Sequence, residues 1–194
     1  MTGLRATTFY DLECNKWLPA DPVYSHYMKV LIFRHGKAED RAGLLSLRRD
    51  AARKLTDAGR RDTRKAATGM YRIAPAITVL ATSPLTRARE TAEIVAKVFD
   101  GIAPVELEAL SPGGPAGAVI EWLATQPQDA TVAVVGHEPD LGQLAGLLLT
   151  GREQSFLLLK KAGACLIEFD DKVKAGAGRL AWHLLPSQLR RLAK

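Results

Sequence analysis

The chain has 194 residues, of which 47% are hydrophobic, 25% charged and 6% aromatic. That size and balance fit one globular domain and exclude disorder over the whole length, and no run reaches the ~18 apolar residues of a membrane span. The net charge of +6 and pI of about 9.5 favour acidic partners, whether phosphates, nucleic acid or anionic membranes, without choosing among them.

The first 27 residues are mixed in character and rich in aromatics, with no apolar segment suited to a secretory signal. They are expected to form an extension rather than a domain, ahead of a domain spanning 28–194. Met28 stands directly before the first convincing strand and offers a second translation start. KVLIFRHG (29–36) reads as a short apolar strand that ends in a glycine turn. After a polar loop comes LTDAGRRDTRKAATGMYRI, in which Thr56 is a good N-cap for a helix. Basic residues concentrate between Arg48 and Lys65, and a short basic tail, LRRLAK, closes the chain. A solvated helix face accounts for the longer run; an electrostatic funnel for an anionic substrate is the competing reading.

AITVLATS (76–83) is a second buried strand. Ser83-Pro84 then supplies a cap and a proline at the first helical position. Leu85, Ala88, Ala92, Val95 and Phe99 form the apolar stripe of that helix. VELEALSPGGP is a short extended piece entering a Pro/Gly loop. PAGAVIEWLATQ is expected to be a helix with Val119, Trp122 and Leu123 inward. ATVAVVGHEP repeats the strand-then-turn theme, and LGQLAGLLLT packs as a helix through Leu141, Leu144, Ala145 and Leu148. From about Ser155 to Leu184 two strands are expected, joined by the polar DDKVKAGAG turn. Cys14 and Cys165 are too few for a disulfide framework, and Cys165 reads as a buried thiol; the usage fits a reducing, cytoplasmic setting.

Strands alternating with helices imply an α/β domain with a mostly parallel sheet covered on both faces. Such sheets bind ligands beyond the carboxyl ends of their strands. Arg34-His35, Ser83-Pro84 and Gly136-His137 each follow a predicted strand, so they should converge on one rim. Each has a bland reading by itself. His35 and His137 could be structural, and Arg87 could be an exposed partner of Glu90 one turn on. His26 and His183 lack this context and are assigned to structure.

In combination, RHG, SPLTRARETA and GHEPDL resemble the histidine phosphatase superfamily in order and spacing. More narrowly they resemble its small phosphohistidine phosphatase branch, the SixA-like proteins, whose LTxxG turn is matched by LTDAG. The resemblance covers roughly Met28 to the C-terminus. It implies a three-layer α/β/α sandwich of the phosphoglycerate mutase-like kind. It also implies roles: His35 as nucleophile, Arg34 and Arg87 as the arginines gripping the phosphoryl oxygens, and His137 as the second pocket histidine. The implied reaction forms a phosphohistidine on the enzyme and then hydrolyses it, with no metal or other cofactor. Two nearby arginines should keep His35 neutral, as a nucleophile must be.

Many larger members of the family this chain resembles that hydrolyse phosphoesters use a carboxylate from an inserted segment to protonate the leaving oxygen. Glu106, Glu108 and Glu138 are the candidates for that role here, each with a competing surface or supporting one. Imidazole leaves readily when its other nitrogen is protonated, so a weak donor favours protein phosphohistidine over phosphate esters as substrate. Lys37, next after RHG, either touches the phosphate or extends the basic rim. The alternatives are a small-molecule phosphomonoesterase or mutase of the same fold, and a non-catalytic phosphate-binding module. Nucleic-acid binding through Arg48–Lys65 lacks a reading motif and is not expected, nor is a membrane partner.

Overall fold

The computed structural model describes residues 27–40 and 47–194. His26 and Cys14 lie outside the described residues. Six strands form one sheet in the order β3-β2-β4-β1-β5-β6. They are β1 (Lys29–Arg34), β2 (Val79–Thr82), β3 (Val105–Glu106), β4 (Thr131–Gly136), β5 (Ala164–Phe169) and β6 (Gly178–Leu184). β3, β2, β4 and β1 run parallel, and β5 and β6 complete the sheet antiparallel. The fold is therefore α/β with a mostly parallel mixed sheet, as the alternation of apolar runs and amphipathic stretches predicts.

Helices cover both faces: α1 (Leu47–Ala51), α2 (Asp57–Tyr71), α3 (Thr86–Val98), α4 (Ala116–Ala124), α5 (Asp140–Thr150) and α6 (Pro186–Leu192). Because successive strand residues point to opposite faces, β1 splits its apolar run between two cores. Val30 and Ile32 pack with Leu123, Leu141, Leu144 and Leu148 from α4 and α5. Leu31 and Phe33 pack with Met70, Val95 and Leu189 from α2, α3 and α6. Burying each such side chain stabilises the fold by about 1.5–3 kcal/mol before entropy is counted. Cys165 is fully buried, and burial pushes its thiol up to about 12. Among the described residues no helix is long and apolar enough to cross a membrane.

Three local expectations need correction. Ser83 does not cap α3: the cap is Leu85, and the helix begins at Thr86. The Ser83 hydroxyl instead accepts the Leu85 amide and bonds His137. Residues 155–163 are not strand but an irregular arm that lies across α5, and β5 starts only at Ala164. Trp122 is only partly buried, whereas Val119 and Leu123 are fully inside.

Thr56 does cap α2, its hydroxyl accepting the Gly59 amide at 3.0 Å, a contact commonly worth about 1 kcal/mol. The glycine of LTDAG has a separate cause. A Cβ on Gly59 would lie 2.0 Å from the Lys37 carbonyl oxygen. The start of α2 therefore packs directly on the loop that follows His35.

Candidate active site

Strand register brings Arg34, His35 and His137 together, and the first turn of α3 adds Arg87. Arg34 pairs with Gly136, and Thr82 with Val135, so β1, β4 and β2 end at nearly one level. The next residues continue the pairing: the His35 amide donates to the Gly136 carbonyl at 3.1 Å, and the Ser83 amide to Val135 at 2.9 Å. His35, Ser83 and His137 thus emerge side by side beyond the sheet. The His35 and His137 rings lie 5.0 Å apart between centroids, tilted by 54°. His35, His137, Arg34 and Arg87 all line one cavity of about 300 Å³.

The backbone fixes the tautomer of His35. Its Nδ1 lies 2.7 Å from the Gly36 carbonyl oxygen. A carbonyl only accepts, so Nδ1 carries the proton and Nε2 keeps its lone pair. Gly36 makes this turn because a side chain does not fit: a Cβ there would meet the Thr63 hydroxyl at 2.2 Å. The Gly36 amide donates to the Thr91 hydroxyl, which in turn donates to the Arg87 carbonyl, tying the turn to α3.

Burial holds His35 down to about 3, with Arg87, Arg34 and Lys161 depressing it further against the Gly36 bond. The arginines that the sequence credits with keeping His35 neutral are the smaller cause, because a cation loses more by leaving water than by facing these neighbours. His137 is likewise held down to about 3, first by burial and then by His35 and Arg87. Its Nε2 is 2.9 Å from the Ser83 hydroxyl, and its Nδ1 is buried with no hydrogen-bond partner among the described residues. The Ser83 hydroxyl also accepts the Leu85 amide, at 3.3 Å.

Arg87 is only 2% exposed. It is not the exposed partner of Glu90, whose carboxylate instead takes the Arg60 guanidinium and the Leu55 amide, each at 2.6 Å. Arg87 turns inward, donating through Nη1 to the Asp50 carbonyl at 2.9 Å and pairing through Nη2 with the Asp50 carboxylate at 3.3 Å. The same carboxylate holds Arg53 at 2.9 Å. A buried cation without such a counter-charge would be destabilising by several kcal/mol. Arg34 donates through Nη1 to the Leu159 carbonyl at 2.7 Å, and burial lowers its pKa.

Sequence reasoning missed Asp50, Arg53 and Lys161. Arg53 and Lys161 add positive charge to the cavity wall, while Glu39 and Asp40 add negative charge. An aspartate three residues before an arginine, just ahead of the LTDAG turn, was the available signal for the first two; Lys161 had none. Of the three carboxylates considered as proton donors, only Glu138 lines the cavity. Glu106 is exposed and pairs with Arg89, and Glu108 is exposed and accepts from Ser111. The Glu138 carboxylate accepts the Leu159 amide at 2.8 Å, and burial raises its pKa against that bond and the nearby Arg34. Lys37 is exposed and contributes its carbonyl to the Thr56 amide.

The chain is similar to known proteins in sequence and in fold. A protein of Picosynechococcus sp. with no assigned function is 37% identical over 158 residues, covering 80% of this chain and 90% of its own. The structure of the protein histidine phosphatase SixA complexed with tungstate is similar at a TM-score of 0.72 and 27% identity, covering 84% of this chain and 99% of that one. An Agrobacterium tumefaciens structure bearing the SixA name shares the fold at a TM-score of 0.64 and 21% identity, over 82% and 99%. Residues 30–111, which contain both arginines and His35, match the histidine phosphatase superfamily, branch 1. With the strand register, the paired histidines and these likenesses in agreement, the chain belongs to the histidine phosphatase superfamily.

Proposed function

We propose that the chain is a metal-independent phosphatase that works through a phosphohistidine on His35 and acts on protein phosphohistidine. The observation that carries this is the His35 tautomer. With Nδ1–H tied to the Gly36 carbonyl, the Nε2 lone pair is available in a cavity walled by Arg34, Arg87 and His137. Nε2 attacks phosphorus, a P–N bond forms on the enzyme, and the bond to the leaving group breaks. Water then attacks the phosphohistidine, releasing inorganic phosphate and restoring neutral His35. The guanidiniums supply the positive charge that such transfers need, and their planar forks match phosphoryl oxygens. His137, its ring 5.0 Å from that of His35 between centroids, adds a further polar group to that wall.

Three observations support a protein phosphohistidine as substrate. The SixA structure, named as a protein histidine phosphatase, shares 27% identity over 84% of this chain. The Glu138 carboxylate is engaged by a backbone amide, which leaves it poorly placed to protonate an alkoxide. A phosphohistidine imidazole protonated on its other nitrogen leaves as a neutral ring and needs no such donor. The irregular arm at 155–163 also turns Phe156 and Leu158 toward solvent, each more than half exposed, as a protein-facing rim would.

One observation favours a second reading. Glu39 and Asp40 line the same cavity and could serve a phosphate ester as proton donors. The deciding experiment compares kcat/KM for a phosphorylated histidine-phosphotransfer protein with those for p-nitrophenyl phosphate and sugar phosphates. The proposal expects the phosphoprotein to lead by at least about a hundredfold, with His35→Ala inactive on it. Sugar phosphates leading would assign the chain to small-molecule esters, and no turnover of any of these by the wild type would leave only a phosphate-binding module.

A further inference from the structure

We propose that Glu138 is a positioning residue that sets the guanidinium of Arg34 through the Leu159 peptide. The inference rests on the reading that Arg34 grips the phosphoryl oxygens. Arg34 sits at the end of β1, with a long side chain whose rotamer freedom must be removed before its fork aligns with an oxyanion. One hydrogen bond does this: Nη1 donates to the Leu159 carbonyl at 2.7 Å. Nε is buried and has no protein partner among the described residues. The orientation of the fork therefore depends on where the Leu159 carbonyl lies.

Leu159 belongs to the irregular arm, so no sheet ladder fixes its carbonyl. Its amide donates to Glu138 Oε1 at 2.8 Å. The same carboxylate accepts the Gly142 amide at the start of α5. The arm is also seated on that helix by two glycines one turn apart. A Cβ on Gly146 would come within 2.0 Å of the Gln154 carbonyl oxygen, and one on Gly142 within 2.3 Å of the Ser155 hydroxyl and 3.0 Å of Glu138 Oε2. Beyond Leu159 the arm returns to β1, the Ala162 amide donating to the Arg34 carbonyl and the Arg34 amide to Gly163. Glu138 follows His137 directly, so it couples the end of β4 to the arginine at the end of β1. A proton donor would need its carboxyl free to face the leaving group. Oε1 here is spent on a backbone amide.

The test is a double-mutant cycle read by calorimetric affinity for inorganic phosphate and for tungstate, with kcat/KM and its pH profile measured beside it. Glu138→Ala should weaken both anions about tenfold in the wild-type background and by less than about twofold in Arg34→Ala, because the two changes act through one side chain. Glu138→Gln keeps an oxygen for the Leu159 amide but sets its NH2 against the Gly142 amide, so it should recover part of the loss, with an unaltered pH profile. Glu138→Ala weakening anions equally in both backgrounds would overturn the inference. So would Glu138→Gln failing as badly as Glu138→Ala, with a loss that grows for poorer leaving groups, since that marks a proton donor. If Glu138→Ala does not fold, Gly142→Ala displaces the arm with the carboxylate kept, and it must show the same dependence on Arg34. Arg34→Ala leaving anion affinity intact would instead refute the reading of the pocket itself.

Discussion

Lowering the pH from 7.5 to 5 should leave the nucleophile almost untouched. Burial, aided by Arg87, Arg34 and Lys161, holds His35 down to about 3. At pH 5 a histidine of that kind is about 99% neutral, whereas one at the ordinary value of about 6.5 is only about 3% neutral. The two cases differ by about thirtyfold in competent enzyme. The assay is kcat/KM against pH, which reports groups of the free enzyme, with the substrate's own phosphate ionisation measured separately and divided out. The corrected profile should stay flat across this window, and the His35 imidazole signal in NMR should not titrate within it. A corrected midpoint near pH 6.5, with the matching imidazole titration, would refute the argument that burial sets the charge of His35.

The same two histidines make stability depend on pH. His35 and His137 are each held down to about 3 in the folded chain, below the ordinary value of about 6.5. The unfolded chain therefore binds protons that the folded chain refuses, so their contribution is complete above about pH 6.5 and is lost as pH falls toward 3. Urea unfolding should show a loss of about 2 kcal/mol per histidine at pH 5 relative to pH 8, reduced in His35→Ala; a flat comparison would contradict it. Arg87→Lys should lower kcat/KM by about a hundredfold or more, because an ammonium cannot both satisfy Asp50 and fork onto an oxyanion. Steady-state kinetics at near-wild-type rates would count against that role. Gly59→Ala drives a Cβ against the Lys37 carbonyl, and should cost about 1–3 kcal/mol in a thermal melt; an unshifted melt would show that the loop yields freely.

Much of the site was legible because parallel strands buried on both faces are written as continuous apolar runs. KVLIF and TVAVV declare themselves, and the first polar residues after them must lie at the sheet's edge. Strand register then does the rest, which is why Arg34, His35 and His137 meet. Arg87 was legible only through the motif around it, since its local pattern equally suits an exposed pair with Glu90. Asp50 and Arg53 were hidden inside a basic run because ion pairing across the fold leaves no periodic trace. The arm at 155–163 does not read as one from its own sequence, because the apolar runs FLLL and ACLIEF on either side of Lys160-Lys161 both look like strand. Its path is set by Gly142 and Gly146 on α5, a long-range contact that its own sequence does not encode. Ser83 reads as a cap because Ser-Pro so often is one, while here the hydroxyl bonds His137.

The most direct measurement is to mix the enzyme with a labelled phosphohistidine protein, quench within one turnover, and map the labelled peptide. The account predicts acid-labile, base-stable phosphate on the peptide that carries His35, absent from His35→Asn. Turnover by the wild type with no label on that peptide, or with label on His137 instead, would contradict it.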